Sequence, residues 1–355
     1  ASDVYKRQMK KTLAALIVTA FAASAANAAV VYDNEGTKVE LNGSLRLILE
    51  KADAKKYDAA GNSKKTANSA LRNAGSRFGI TVKHNLDNDF YALGRLESRF
   101  DDTESRDQFG SLYAKRAYVG LGSKATGDIT FGRQLTIADD LTQANDYEYG
   151  FIPKGKYIPT SGTGVVRYDY KGIEGLQLSA NYNFGQKNNE KGKPLDPGIK
   201  NAYAVGALYT VGDLDARLAY GHTNFETNAS YAHRLDGVLA SLGYKFGDFT
   251  LTGDFAYGHE KFDDEKTNKF YVSPGFAYQV VPASKVYGNY LYERVKGDVN
   301  KDKTHGFLLG ADYKLHKQVV VFLEGKYVTT KSYKDDAYTG KVKDRAIGVG
   351  MRVYF

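Results

Sequence analysis

Residues 346–355 read AIGVGMRVYF, and they alternate without a break. Ile347, Val349, Met351, Val353 and Phe355 fall on one side, and Ala346, Gly348, Gly350, Arg352 and Tyr354 on the other. A period of two is a β-strand with one apolar face and one mixed face. Working backwards, the same pattern recurs. In Lys38–Glu50, Val39, Leu41, Gly43, Leu45, Leu47 and Leu49 oppose Glu40, Asn42, Ser44, Arg46, Ile48 and Glu50. Ser76–Asn85 sets Phe78, Ile80 and Val82 against Arg77, Thr81 and Lys83. Phe90–Phe100 sets Leu96 and Phe100 against Arg95, Glu97 and Arg99. A soluble sandwich has apolar inner faces. A charged inner face behind an apolar outer one suits a water-filled lumen inside a membrane. The expected fold is therefore an all-β, antiparallel transmembrane β-barrel.

The connections support this reading. Turn chemistry marks short joints at Asp87-Asn88-Asp89, Gly127-Asp128, Gly212-Asp213 and Gly247-Asp248. Further short joints fall near Gly172–Gly175, Pro282–Ser284 and His316–Gln318. Between them lie longer polar segments at 51–72, 102–110, 135–163, 186–200, 226–232, 260–268, 298–303 and 331–341. Short periplasmic turns on one rim and long outer loops on the other describe an outer-membrane barrel. Seven turns and eight loops, with both ends of the barrel on the turn side, give about sixteen strands, an even number.

Composition agrees. Mean hydropathy is −0.46, which a barrel tolerates because only alternate residues meet lipid. Tyrosine (28) and phenylalanine (18) without tryptophan suit interfacial aromatic girdles, and equally suit β-sheet in general. The chain has no cysteine, which excludes thiol catalysis and thiolate metal sites. Residues 10–28 read as a secretory leader. Lys10 and Lys11 precede an apolar run from Leu13 to Ala23, and Ala26-Asn27-Ala28 is a small-residue cleavage site. Cleavage is expected between Ala28 and Ala29. Residues 1–8 are expected to be an extension before a start at Met9, residues 9–28 the signal peptide, and 29–355 one barrel domain. Removing the leader lowers the formal net charge from +8 to +5. No basic block resembles a nucleic-acid patch.

The leader MKKTLAALIVTAFAASAANA and the segments AVVYDNEGTKVELNGSLRL, LRNAGSRFGITVKHNL, FYALGRLESRF, KRAYVGL, GDITFGRQ, VVRYDYKG and GVGMRVYF resemble the Gram-negative general porins. Within that family the likeness is to the porins of Haemophilus and related Pasteurellaceae, and it covers nearly all of residues 9–355. The resemblance implies a homotrimer of sixteen-stranded barrels that passes ions and small hydrophilic solutes by passive diffusion. It implies a third long loop folded into the lumen, and a terminal Phe355 read by the barrel-assembly machinery. Outer-membrane lipid and lipopolysaccharide are the expected surroundings, with no cofactor and no metal.

A diffusion pore sorts solutes by width and fixed charge. Arg46, Arg77, Arg95 and Lys115 have inward parity near the family's basic wall positions. Arg116 lies beside Lys115, and Arg167 follows the third loop. Segment 135–163 supplies Asp139, Asp140, Asp146 and Glu148 as the facing acids. The family's Pro-Glu-Phe-Gly-Gly loop signature is absent, so the acids rest on composition alone. Asp263-Asp264-Glu265 and Asp335-Asp336 read as solvated surface, or as bridged to lipopolysaccharide by divalent cations. Three other functions would each leave a different mark on the sequence. A hydrolase needs a His–carboxylate site, and His84, His222, His233, His259, His305 and His316 show no such grouping. A surface adhesin on a barrel scaffold would use the long loops. A substrate-specific channel would add ordered sites that parity does not reveal.

Overall fold

A computed structural model describes residues 28–100, 109–227 and 232–355. Sixteen antiparallel strands close into one barrel. They are β1 (Thr37–Asp58), β2 (Ser63–Asn73, resuming at Arg77–Asn85), β3 (Phe90–Phe100), β4 (Leu112–Ser123), β5 (Gly127–Leu135), β6 (Ser161–Ile173), β7 (Leu176–Asn183, with Gln186–Asn188) and β8 (Pro194–Val211). The second half comprises β9 (Leu214–Phe225), β10 (His233–Phe246), β11 (Phe249–Phe262), β12 (Glu265–Val281), β13 (Ser284–Lys296), β14 (Asn300–His316), β15 (Val319–Lys334) and β16 (Ala337–Tyr354). Each strand pairs with the next, and β16 pairs with β1 from Gly340↔Asp58 to Tyr354↔Ser44. Closure leaves no open edge for the lipid phase, where an unpaired backbone group is costly. At the seam, the Phe355 amide donates to the Gly43 carbonyl at 3.1 Å, and Gly43 N–H donates to the Phe355 carbonyl at 2.8 Å. A short strand, Ala29–Asn34, folds back on Thr37–Leu41 beneath this seam; the sequence pattern gave no sign of it.

The faces follow parity. Leu45, Leu47, Leu49, Phe78, Ile80, Leu96, Ile347, Val349 and Met351 are exposed on the outer surface. Ser44, Ile48 and Glu97 are buried on the inner one. Tyrosines gather at both borders of the apolar belt. Tyr209, Tyr244, Tyr278 and Tyr313 lie toward the short turns, and Tyr203, Tyr220, Tyr257 and Tyr327 toward the opposite rim. They form the interfacial girdle that composition alone left undecided.

All seven short joints are turns, although the one expected at Gly127-Asp128 sits at 124–126, with Gly127 opening β5. Tight reversal at two of them needs left-handed backbone, and Gly212 and Gly247 both have φ +58. The long segments need correction. Most of 51–72, 186–200, 260–268, 298–303 and 331–341 continues the β-ladder beyond the membrane. Outside lipid both faces are wet, so the apolar alternation disappears while backbone pairing persists. Asp335-Asp336, both at positive φ, form the tip of such a hairpin. Among the described residues, 136–160 is the long irregular connection.

Candidate pore constriction

The connection between β5 and β6 turns into the barrel and lies along its inner wall. Two short 3-10 turns, Ile137–Leu141 and Lys154–Lys156, shape it. Its apolar side is dry. Ile137, Leu141, Tyr157 and Ile158 pack with Ala204, Ala219, Leu239, Ala256 and Tyr271 of β8–β12. The wall is made low there to admit it. A Cβ on Gly221 would stand 2.6 Å from Ile158 Cγ2, and one on Gly237 would stand 2.2 Å from the Tyr157 carbonyl oxygen. Further along, Tyr149 packs with Ile48, Tyr287, Leu308 and Phe322, and the Tyr147 ring stacks on Phe322 with centroids 4.8 Å apart.

Carboxylates of the wall hold the loop backbone. Glu324, fully buried, accepts the amides of Tyr147 (2.7 Å), Glu148 (2.8 Å) and Tyr149 (2.5 Å), and the Tyr287 hydroxyl at 2.6 Å. Asp254, also buried, accepts the amides of Gln143 (2.9 Å) and Ala144 (3.0 Å). Asp312 accepts the Tyr147 hydroxyl at 2.7 Å, and Glu293 receives Lys156 at 3.0 Å. Charge-assisted bonds to otherwise unpartnered amides are strong, and leaving them unmade is expensive. Sequence reading missed all four acids because it sought bases on the wall and acids on the loop.

The loop's own acids are mostly occupied. Asp140 meets Arg167 at 2.7 Å, and Arg167 also holds Asp169 at 2.9 Å. Glu148 lies 2.5 Å from Arg72 and 3.4 Å from Arg46. Arg46 also donates to the carbonyls of Ala74 and Tyr147. Asp139 pairs with Lys154 at 3.2 Å. Burial raises the carboxyls of Asp140 and Glu148, against the pull of their arginines. Asp146 differs. It is open to water on the lumen side but walled in by protein elsewhere. That enclosure, followed by the Glu324 carboxylate, pushes its carboxyl up to about 6.

Opposite, β2–β4 present a different surface. Arg77 (3.9 Å), Arg95 (3.0 Å), Arg99 (2.9 Å) and Arg116 (3.7 Å) converge on the carboxylate of Glu97. Glu97 is 2% exposed, whereas each arginine side chain keeps 19–23% open. Four guanidiniums around one carboxylate leave a net charge of three positive at the water. A β-bulge lets the neighbours Lys115 and Arg116 share a face, which strict alternation forbids. The β3–β4 register steps from Glu97↔Arg116 to Ser98↔Ala114, which turns both Lys115 and Arg116 inward. Lys115 does not join the fan; it pairs with Glu190 in the β7–β8 hairpin. Thus Arg77, Arg95 and Arg116 come together, while Arg46 and Arg167 serve as loop anchors. Arg99, already on the inward face by parity, completes the fan. Arg72 was hidden in a segment read as loop. Of the cleavage pair, Ala28 and Ala29 are described, and the leader before them lies outside the described residues.

Among the described residues no helix is long and apolar enough to cross a membrane, which says nothing about a barrel, and no His, Asp and Glu grouping could hold a metal ion. Comparison with known proteins supplies the family. A model of the Gram-negative porin family matches residues 12–333. Two major outer membrane proteins of Pasteurella multocida, one from strain Pm70, are 32% and 31% identical; each alignment covers 98% of this chain and 100% of the relative. Among solved structures, OmpT of Vibrio cholerae superposes with a TM-score of 0.69 at 19% identity, covering 92% of this chain and 99% of that one. An anion-selective porin from Comamonas acidovorans gives 0.64 at 18%, covering 90% and 100%. Salmonella typhi OmpF, in complex with daunomycin, gives 0.66 at 16%, covering 92% and 100%. A closed barrel with a polar lumen and an inward loop is therefore matched along nearly its whole length, and the chain belongs to the Gram-negative porin family as a general diffusion porin of the outer membrane.

Proposed function

We propose that solutes are sorted between the arginine fan of β2–β4 and the loop 136–160, and that the pore prefers small anions. The observation that carries this is an asymmetry of charge. The fan keeps a net charge of three positive open to water, while the facing acids Asp140 and Glu148 are tied to arginines. A low-dielectric wall amplifies such a field and concentrates counter-ions. Transport is passive, and the chain acts as a channel rather than an enzyme. The mature protein begins at Ala29 after removal of a signal peptide and assembles as a homotrimer. OmpT of Vibrio cholerae has itself been solved in a trimer form. Phe355 enters the seam hydrogen bonds with Gly43, which supports its use by the barrel-assembly machinery. Bilayer recording tests the constriction. Shortening 136–160 should raise single-channel conductance at least about twofold, while shortening the hairpins at 186–200 or 331–341 should leave it nearly unchanged. Equal effects of all three deletions would place the constriction elsewhere.

A further inference from the structure

We propose that Glu190, at the tip of the β7–β8 hairpin, is a tethered carboxylate seated in a carboxylate-binding station of the lumen wall, and that small carboxylate solutes enter this station when the tip is displaced. The inference rests on the anion-pore reading, because it takes the lumen as the path of anions. Three strands build the station. Lys115 of β4 donates its ammonium to Glu190 Oε2. The hydroxyl of Ser161, which opens β6 with the inward parity of Arg167, donates to Glu190 Oε1 at 2.7 Å. The Arg133 guanidinium of β5 donates to the Glu190 carbonyl at 3.2 Å and to the Ala114 carbonyl at 2.7 Å. Both carboxylate oxygens thus sit on wall donors 75 and 29 residues away in sequence. An ammonium and a hydroxyl facing one carboxylate make charge-assisted hydrogen bonds to it, whichever molecule carries that carboxylate. Burial pushes the Glu190 carboxyl up, but Lys115, Ser161 and Arg99 of the fan outweigh it and hold the carboxyl below its usual range. The tip is therefore ionised at neutral pH, and a competing anion, not mild acid, displaces it.

The space under the hairpin makes this contact a latch. The loop 136–160 lies dry on the wall, whereas no residue from 185 to 194 belongs to either apolar cluster of the lumen. The hairpin instead spans a polar cleft of about 420 Å³ lined by Arg133, Thr163, Gln186, Asn188, Asn189 and Glu190. Its tip is a self-contained turn, in which the Asn189 side-chain oxygen accepts the amides of Lys191 (2.9 Å) and Lys193 (3.0 Å). At its base, the β6–β7 register ends at Val165↔Asn183, and the β7–β8 register shifts between Gln186 and Asn188. The tip can therefore swing away without breaking the barrel ladder. A tether this short holds its carboxylate at an effective concentration on the order of millimolar, so solute carboxylate at about ten times that level replaces it. While seated, Glu190 cancels the charge of Lys115. Once displaced, it leaves Lys115 as one more positive charge beside the fan.

The test records the full barrel in planar bilayers, with succinate as the probe and heat-modifiability as the check on folding. Wild type, Glu190→Gln, and Glu190→Gln with Lys115→Gln are compared. Glu190→Gln should move the zero-current potential toward anions. Succinate should halve its chloride current at a concentration at least about tenfold lower than the wild type requires. The double variant, with the station's cation gone, should return to near wild-type values in both. Wild-type succinate sensitivity in Glu190→Gln, or added sensitivity that survives Lys115→Gln, would overturn the proposal. A wild type that prefers cations would instead defeat the anion-pore reading, and the succinate comparison would still decide the station. If Glu190→Gln does not fold, a spin label decides in an otherwise wild-type barrel. The chain has no cysteine of its own, so Asn188→Cys takes the label at one place. Label mobility should rise with succinate and stay fixed in chloride of equal ionic strength. No change with succinate, or the same change with both salts, would contradict a displaceable carboxylate.

Discussion

The inner wall of the barrel is built in two ways. Under the loop, β8–β12 offer Ala204, Ala219, Gly221, Gly237 and Ala256, a low apolar surface on which Ile137, Tyr157 and Ile158 lie dry. Across the lumen, β2–β4 offer Arg77, Arg95, Arg99 and Arg116 gathered on Glu97 and open to water. One side behaves as a protein core and the other as a charged channel surface. The difference assigns separate consequences to separate residues. Changes on the covered side should act on stability and on the loop's position, and changes on the open side should act on ion preference.

The largest effect is expected at Glu324. Glu324→Ala leaves three loop amides and the Tyr287 hydroxyl without their acceptor. Removing one side of a buried charged network costs on the order of 3–5 kcal/mol. The loop should leave the wall while the barrel persists, giving noisy, variable conductance and protease cleavage within 136–160. A steady wild-type trace would show that the loop has another anchor. A smaller effect is expected at Gly221, where a side chain meets Ile158. Gly221→Leu should destabilise the loop by about 1–3 kcal/mol. Gly253→Ala, where nothing lies within 4 Å of an added Cβ, should be tolerated, and thermal unfolding of the two variants distinguishes them. Equal midpoints would mean that the loop does not press on the wall.

The smallest effect concerns Asp146. Its carboxyl, raised to about 6, is charged at pH 7 and protonated as pH falls below 6. One lumen-facing negative charge is lost over that range, so anion preference should rise modestly between pH 7 and 5. Asp146→Asn should show the higher preference already at pH 7 and lose the pH step. A step that persists in the variant belongs to another group.

How much could be read beforehand follows the same division. Strand faces were legible wherever one side meets lipid, because Leu45, Leu47 and Leu49 cannot exchange places with Ser44, Arg46 and Ile48 without exposing polar atoms to hydrocarbon. Beyond the membrane that constraint lapses, so the ladder through Lys51–Tyr57 looked like loop. The bulge that turns Lys115 and Arg116 inward together breaks parity and is visible only in register. The loop's resting place had left a trace: small residues at inward positions of β8, β9 and β11, Ala204 and Gly206, then Ala219 and Gly221, then Ala256 and Gly258, with Gly237 on β10 between them. A wall kept that low anticipates a cover. Glu324 and Asp254 could not be distinguished from other inward acids, because what defines them is a set of backbone amides more than a hundred residues away in sequence.

The central claim is that the open arginines of β2–β4, and not the arginines already neutralised by acids, set ion preference. The direct measurement is the zero-current potential of single channels in a salt gradient, for the wild type, for Arg77→Ser with Arg99→Ser, and for Arg167→Ser. The wild type should prefer anions. The double variant should lose most of that preference, and Arg167→Ser, whose partners are Asp140 and Asp169, should not lower it comparably. A cation-preferring wild type, or a double variant with an unchanged potential, would contradict the account.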